Sequence, residues 1–496
     1  MNLGIILYVL GMVCMFEAGF LLLPLFTAFL YQEYNIVQVY GICIVICMVI
    51  GLILVMTTRK NRADMKPKEG VAIVGLSWLV LSLLGALPFF LSGEIPHYID
   101  AFFETVSGFT TTGSTILTDV DAMSYGSRMW RSFTHWVGGM GVLVFLLALL
   151  PSKNGSFMNL MMAESPGPDV SKLVPKVRDT AKYLYWIYIG MTAIQLILLL
   201  LAGMQVFDAV TLTFGTAGTG GFAVRSSGFE DYTILQQGII AVFMMLFGIN
   251  FNFYFLLIKG KLKDAFKMEE VLTYLGIIVA VTAVIVISVY PMFNNLFYAI
   301  HHVFFTVSSL ITTTGYATVD FNLWPSIALV LLVTIMFIGA CAGSTGGGIK
   351  VGRINIMVKG IVKEFYTLFH PRSVKKVRMD GRPIAHDVVR STNVFIALYL
   401  LIFVGSVILV SLNGKDLVTT FTAVAATLNN IGPGLAGVGP MSNFSELSYF
   451  SKLVLSFDML AGRLELLPII MLLIPSMWKV SRKPSTGRRQ GGGTEH

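Results

Sequence analysis

The chain has 496 residues, of which 55% are hydrophobic and only 12% are charged. Soluble domains carry roughly 25% charged residues, so a soluble fold would leave much of this apolar surface in contact with water. The composition therefore excludes a soluble protein. Apolar runs of spanning length, each near the roughly 20 residues that a helix needs to cross a bilayer, occur at 5–30, 36–58, 71–92, 180–203 and 271–290.

The formal net charge of +8 is concentrated in a few places, because 29 of the 35 Lys and Arg residues lie in stretches between or after the apolar spans. All of these stretches can lie on one side of the membrane, and an excess of Lys and Arg marks the cytoplasmic side. The charge therefore favours a basic surface beside the membrane over a nucleic-acid site, and it places the N-terminus in the cytoplasm. The five basic stretches are 59–69, 151–182, 259–270, 350–390 and 479–490.

This topology predicts an N-terminal helical hairpin followed by four similar units and ten spans in total. In each unit one span leaves the cytoplasm, a stretch too short to cross follows, and a second span returns. We expect an all-α polytopic membrane protein in which four pseudo-repeats of helix, re-entrant pore loop and helix surround one pore. The predicted segments are the hairpin 1–68, the repeats 69–150, 151–268, 269–358 (with a broken second helix) and 359–480, and a disordered tail 481–496.

A Thr/Gly-rich tract lies between the two spans of every unit. The four tracts read GFTTTGST (108–115), TAGTGGFA (216–223), TTTGYAT (312–318) and LNNIGPG (428–434). The pattern predicts that one glycine recurs at an equivalent place in each tract. The predicted positions are Gly113, Gly220, Gly315 and Gly432.

The four tracts have the composition of a filter for monovalent cations. Irregular backbone at membrane depth persists only where protein buries it or water reaches it, so four tracts in corresponding positions imply one shared aqueous axis. Rings of carbonyl oxygens can replace the hydration shell of an alkali cation. A filter for divalent cations would use a ring of acidic side chains, and the four tracts contain no Asp or Glu. The candidate filter residues are Thr111, Thr112, Gly113, Thr219, Gly220, Thr313, Thr314, Gly315, Asn430, Ile431 and Gly432.

A second candidate element interrupts the returning span of the third unit, where residues 336–354 read MFIGACAGSTGGGIKVGRI. Each glycine in a helix interior costs about 1 kcal/mol relative to Ala, so three in succession predict an unwound segment. One interpretation makes this segment a gate in the conduction path, and the other makes it a hinge between two packed helices. The candidate gate residues in the loop are Gly343, Ser344, Thr345, Gly346, Gly347 and Gly348.

Arg463 is the remaining gate candidate, because an ionisable residue at membrane depth is a functional candidate by default. It lies in the last apolar span, and Glu465, two residues further on, does not share its helix face. We expect Arg463 to face the pore or the unwound segment. The alternative is a buried ion pair with an acidic residue elsewhere, and Glu17 and Asp458 are acids of the same ambiguous kind.

With these motifs the chain resembles the TrkH-type potassium uptake proteins of the Trk/Ktr/HKT superfamily over roughly residues 1–480. The resemblance rests on SGFTTTGST, GTGGF, TTTGY followed by Asp320, NNIGPG, GSTGGGIKVGRI at 343–354 and AGRLE at 461–465. It implies a single-file K⁺ pore in each subunit, with K⁺ held by backbone oxygens in the four tracts, and residues 343–348 as an intramembrane gate. Sodium-conducting relatives replace the first filter glycine with Ser, so Gly113 fits the potassium-selective pattern.

The same resemblance implies the partners and the location of the chain. They are a homodimer in the lipid of the cell's inner or plasma membrane, and a TrkA-like cytosolic nucleotide-binding ring as regulatory partner. Potassium would be the substrate, with no cofactor bound.

Three competing functions stay open at this point. The first is a sodium-permeable or weakly selective relative of the same superfamily. The second is a secondary transporter for an organic solute, although transporters with broken helices usually show two-fold repetition. The third is a membrane-embedded enzyme, but the sequence offers no catalytic constellation, so we expect a protein that is not an enzyme.

Overall fold

The computed structural model describes residues 1–58, 66–141, 177–372 and 375–478. The predicted tail 481–496, the basic stretch 479–490 and most of the basic stretch 151–182 lie outside these residues. Within the described chain, six helices are long and apolar enough to cross a membrane, or seven when one sharply bent pair counts as a single span. The prediction of a helical polytopic fold is confirmed.

The N-terminal hairpin consists of the helices Leu3–Phe20 and Leu22–Leu30, which together form one span, and the helix Tyr34–Thr58. The two spans approach closely where Gly11 faces Gly51. A Cβ atom on Gly51 would lie 2.8 Å from the carbonyl oxygen of Gly11, so any larger residue would push the helices apart.

Each of the four units that follow contains an entering helix, a shorter pore helix and a returning helix. The entering helices are Pro67–Gly85 (continued by Leu87–Leu91), Val177–Leu201, Glu269–Phe293 and His386–Ser411. The pore helices are Tyr98–Phe109, Val206–Gly218, Leu296–Ile311 and Leu417–Leu428. The returning helices are Tyr125–Gly139, Ile234–Phe247 with Phe251–Ile258, Ser326–Ile338 with Val351–Phe369, and Tyr449–Arg463 with Leu467–Leu473.

The returning helices are interrupted in more units than the sequence predicts. The expected break in the third unit is present between Ile338 and Val351. In the second unit the helix bends by 91° between Phe247 and Phe251, where Asn250 caps the new helix by accepting a hydrogen bond from the amide of Asn252. In the fourth unit positive φ angles at Glu465 and Leu466 end the helix. Because the helices on either side of each break are short, the described residues contain fewer than the ten predicted full-length spans, and part of the predicted span 128–150 lies outside them.

Large apolar side chains cover the outside of the described molecule as well as its core. On the third entering helix, for example, Ile287 is 78% exposed and Val279 is 69% exposed. Contiguous apolar surface of this extent is rare on soluble monomers and suits contact with lipid tails. The C-terminal halves of the pore helices and the tracts after them, in contrast, are largely buried between the units.

Small elements complete the described chain. A two-stranded ribbon, Arg378–Met379 paired with Arg382–Pro383, is the one β feature among the described residues, and the all-α prediction did not include it. It lies beside the Val351–Phe369 helix, where Lys359 Nζ donates to the carbonyl of Arg378. The remaining short helices are Leu262–Ala265, Phe321–Leu323, Ala436–Val438 and Pro475–Trp478.

Candidate functional site

The same backbone turn ends all four pore helices. In each, the residue after the turn donates its amide to a carbonyl five residues earlier, at 2.8–2.9 Å. These donors are Thr112, Gly220, Thr314 and Ile431. The residue before each donor lies in the left-handed region, with φ of 54° at Thr111, 54° at Thr219, 60° at Thr313 and 56° at Asn430. This repeated turn fixes which residues of the four tracts are equivalent.

The register corrects one predicted position. The glycines with positive φ that follow the turn are Gly113, Gly221, Gly315 and Gly432, with φ between 80° and 100°. The recurring glycine of the second tract is therefore Gly221, and the prediction of Gly220 was wrong by one residue. Gly220 takes the place that Thr112, Thr314 and Ile431 hold in the other tracts.

The four tracts form a closed ring through contacts between neighbours. Each recurring glycine packs against a carbonyl oxygen of the next tract. A Cβ atom on the glycine would overlap that oxygen. Such a Cβ on Gly113 would lie 2.1 Å from the Gly220 oxygen, on Gly221 1.7 Å from the Thr314 oxygen, on Gly315 1.9 Å from the Ile431 oxygen, and on Gly432 2.9 Å from the Thr112 oxygen. The contacts run from tract one to two, three, four and back to one, so the tracts surround a single axis.

A cavity of about 210 Å³ lies at one end of this ring, and all four recurring glycines line it. Glu230 and Arg225 also line the cavity. Arg225 forms an ion pair with Asp208 at 2.6 Å, which offsets its positive charge. The cavity therefore lies between the four recurring glycines and the loops that follow the tracts.

Side chains behind the tracts are held by hydrogen bonds. The hydroxyl of Thr112 lies 2.8 Å from that of Thr110 and also accepts from Asn430 Nδ2 at 2.9 Å. Asn430 Nδ2 donates in addition to the carbonyl of Met459 on the returning helix of its own unit. In the third tract the hydroxyls of Thr312 and Thr314 repeat the 2.8 Å contact. These bonds link the tracts to each other and to the surrounding helices.

The unwound segment of the third unit lies directly against the inner ends of the third and fourth tracts. The amide of Gly347 donates to the hydroxyl of Thr313 at 2.6 Å, and the amide of Gly348 donates to the carbonyl of Asn429 at 3.1 Å. A Cβ atom on Gly347 would lie 2.3 Å from that Asn429 oxygen, so only glycine allows this approach. The loop thus sits at the opposite end of the ring from the 210 Å³ cavity.

Arg463 joins this loop to the first unit. Its guanidinium donates to the carbonyl of Thr345 at 2.8 Å, and to the carbonyls of Gly138 and Gly139 at 2.5 and 2.7 Å. Gly138 and Gly139 are the last residues of the first returning helix, Tyr125–Gly139. The structure therefore places Arg463 at the loop, and it places Glu465 against Arg353 in an ion pair.

Two further charged residues at the loop were missed from the sequence. Lys350 is only 3% exposed, and its Nζ donates to the carbonyl of Gly346. Glu270 is buried at the start of the third entering helix, where Oε1 accepts from the amides of Ala342 at 2.6 Å and Gly352 at 2.9 Å, one at each end of the loop. The signal available in the sequence for Glu270 was an acid directly before the apolar run 271–290.

Comparison with known proteins agrees with this architecture. The family model described as "TrkH: Cation transport protein" matches residues 36–480. The chain belongs to the TrkH family of cation transport proteins. Its TrkH-family membership makes it a multi-pass membrane transport protein rather than a member of an enzyme family.

Relatives of the TrkH family match almost the whole chain. The "Trk system potassium uptake protein TrkH" of Salmonella typhimurium and that of Escherichia coli K12 are each 35% identical over 489 residues, covering 97% of this chain and 100% of the relative. The crystal structure of "the Potassium Transporter TrkH from Vibrio parahaemolyticus" superposes with a TM-score of 0.87 at 31% identity, covering 97% of this chain and 100% of the other.

Proposed function

We propose that this chain is a potassium uptake channel or transporter subunit with a K⁺-selective single-file pore. The closed ring of the four tracts is the observation that carries the proposal, and the names of the relatives, potassium uptake proteins, indicate the ion. A sodium-permeable or weakly selective cation transporter is the alternative. The backbone oxygens proposed to hold K⁺ are those of Thr111, Thr112, Gly113, Thr219, Gly220, Thr314, Gly315, Ile431 and Gly432, with Gly221 now added as the equivalent of Gly113.

Electrostatics support a cation at this place. The C-terminal end of a helix carries a partial negative charge, and four pore helices end at the ring. Carbonyl oxygens can then replace the water around an alkali ion. The described tracts add hydroxyl and amide groups but no formal negative charge, which suits a monovalent ion.

The gate that we propose consists of residues 343–348 together with Arg463. A cation leaving the inner end of the ring meets the loop, whose amides contact Thr313 and Asn429. The guanidinium of Arg463, which donates to the Thr345 carbonyl of the loop, adds an electrostatic barrier to the steric one. Glycines allow the loop to change conformation at small cost, so movement of the Val351–Phe369 helix can open it.

The wider assembly is part of the same proposal. The chain would form a homodimer in the inner or plasma membrane with its N-terminus in the cytoplasm, and a TrkA-like nucleotide-binding ring would control the loop from the cytosolic side. The five segments predicted up to residue 480 would be its folding units.

Expression of this chain in a bacterium that lacks potassium uptake systems is expected to restore growth at low external potassium. Purified protein in liposomes should then carry K⁺ faster than Na⁺. A variant with the fourth tract's Gly432 replaced by Arg is the matched control and should insert without rescuing growth. Failure of the native chain to rescue, despite normal membrane levels, contradicts the proposed function, whereas equal K⁺ and Na⁺ flux favours the weakly selective alternative.

Glu270→Gln is expected to raise K⁺ flux through the chain in the absence of any partner. The carboxylate holds both ends of the loop through two backbone amides, and hydrogen bonds to charged groups contribute about 1.5–3 kcal/mol each. Gln keeps the size of the side chain but weakens both bonds, so we expect about a tenfold rise in flux in liposomes. Glu446→Gln, at an exposed acid that pairs with Lys415 and has no contact with the loop, is the control. If the flux of Glu270→Gln equals that of the parental protein, the hydrogen bonds of Glu270 stabilise the fold but do not hold the gate closed.

Neutralising Lys375, Lys376 and Arg378 together is expected to weaken co-purification with the cytosolic ring. Arg378 belongs to the ribbon beside the Val351–Phe369 helix, and Lys375 and Lys376 directly precede it. Attraction between exposed charges weakens as salt rises. The native complex should therefore survive to higher salt than the triple Gln variant. Neutralising Lys259, Lys261 and Lys263 in the other described cytoplasmic loop provides the control. Identical salt profiles would assign the cluster to lipid headgroups instead.

A further inference from the structure

The second tract differs from the other three at the position that follows the turn. Thr112, Thr314 and Ile431 carry a side chain there, but Gly220 does not. A Cβ atom on Gly220 would lie 2.1 Å from Cγ of His135. The imidazole of His135, which comes from the first returning helix, thus occupies the space that a side chain of the tract itself fills in the other units.

His135 is fully buried and bonded at both ring nitrogens. Nδ1 lies 2.8 Å from the carbonyl oxygen of Gly108, and because a carbonyl can only accept, Nδ1 carries the proton. Nε2 then accepts from the amide of Phe222 at 3.2 Å. One neutral side chain therefore connects the end of the first pore helix to the residue directly after Gly221.

Arg131, one turn earlier on the same helix, holds the next part of the second tract. It forms a buried ion pair with Glu104 at 2.9 Å and donates to the carbonyl of Ala223 at 3.1 Å. Glu104 in turn accepts from the amide of Ile116, which follows the first tract. The arginine and the histidine enclose the ring of Phe222, at 4.1 Å and 4.3 Å from its centroid.

We propose that His135 and Arg131 are positioning residues that determine the ion specificity of the filter. Gly220 and Gly221 form the most flexible pair in the four tracts, since glycine lacks the steric limits of other residues. The helix behind them supplies the missing side chain, and its hydrogen bonds to the amide of Phe222 and the carbonyl of Ala223 fix the backbone directly after the two glycines. The inference rests on the proposed function and identifies the part of the ring on which discrimination between K⁺ and Na⁺ depends most.

The test compares three variants by K⁺ and Na⁺ flux in liposomes after matched insertion and thermal unfolding. His135→Ala leaves a void beside Gly220, and we expect Na⁺ flux to rise until the K⁺/Na⁺ ratio falls about tenfold, equal to 1.36 kcal/mol of differential barrier. His135→Gln retains one donor and one acceptor and should keep most of the ratio. The double variant His135→Ala with Gly220→Thr returns a side chain to the vacated space and should recover part of it, because contacting sites are non-additive.

A folded His135→Ala protein with the native flux ratio would overturn the inference and leave the proposed function standing. Where His135→Ala does not fold, Arg131→Lys decides, because Lys keeps the charge but loses the planar fork that reaches both Glu104 and Ala223. A native ratio in Arg131→Lys then overturns the inference, and a reduced ratio at native stability supports it. Native protein that carries Na⁺ as fast as K⁺ would instead contradict the proposed function itself.

Discussion

Gly113→Ser is expected to lower the K⁺/Na⁺ selectivity at least tenfold, or about 1.4 kcal/mol of differential barrier, while the protein still inserts. Two effects act together at this residue. Its φ of 82° strains any residue other than glycine, and its Cβ would lie 2.1 Å from the carbonyl oxygen of Gly220. The Gly220 carbonyl must therefore move, and it is one of the oxygens proposed to hold the ion. Paired K⁺ and Na⁺ fluxes in liposomes measure the change.

The register of the second tract adds a sharper comparison. Gly221→Ser should lower selectivity at least as much as Gly113→Ser, because its Cβ would lie 1.7 Å from the Thr314 oxygen. Gly93 has a similar φ of 77° but no neighbour within 4 Å, so Gly93→Ser carries the backbone strain without the collision. Selectivity that is unchanged in Gly113→Ser and Gly221→Ser, or lowered equally in Gly93→Ser, would count against the ring as the filter.

Arg463→Ala is expected to raise partner-free K⁺ flux by one or more orders of magnitude, and deletion of residues 344–347 should do the same. Arg463 donates three hydrogen bonds to carbonyls of the loop and of the first returning helix, so its removal frees the loop and removes a positive charge from the path. Each 1.36 kcal/mol taken from the barrier raises the rate about tenfold. The measurement is K⁺ uptake into liposomes that contain this chain alone.

The double change tests whether the two elements form one constriction. If they do, its effect should fall short of the product of the single effects, because residues in contact are non-additive. Arg382→Ala, at an exposed arginine of the ribbon, is the control for loss of a positive charge. Parental flux in both single variants, with normal insertion, would make the loop a structural hinge.

The fold was predictable because its signals are local. The apolar runs predicted the hairpin and the entering helices, and the repeated Thr/Gly tracts predicted the four units around one axis. The breaks near Asn250 and Leu466 were missed, since no run of glycines or prolines marks them and a cap or two positive φ angles suffices to end each helix.

Parts of the candidate site depend on contacts between distant residues and could not be predicted. The GTGGF motif contains two adjacent glycines, and the hydrogen bond from Gly220 to Gly215 together with the positive φ of Gly221 shows that Gly221 is the recurring one. Glu270 acts on amides 72 and 82 residues away, and Lys350 turns back toward the loop although the sequence places it near the cytoplasm.

The attachment of Arg463 to main-chain oxygens has a consequence for how this site can vary. Carbonyls of Thr345, Gly138 and Gly139 are present whatever side chain those positions carry, provided that the backbone keeps its course. Point substitutions that leave the backbone path intact preserve the partners of the arginine, whereas one residue inserted into the loop or deleted from it shifts the Thr345 carbonyl out of reach. We therefore expect the length of this loop to be under stronger constraint than its composition outside the glycines.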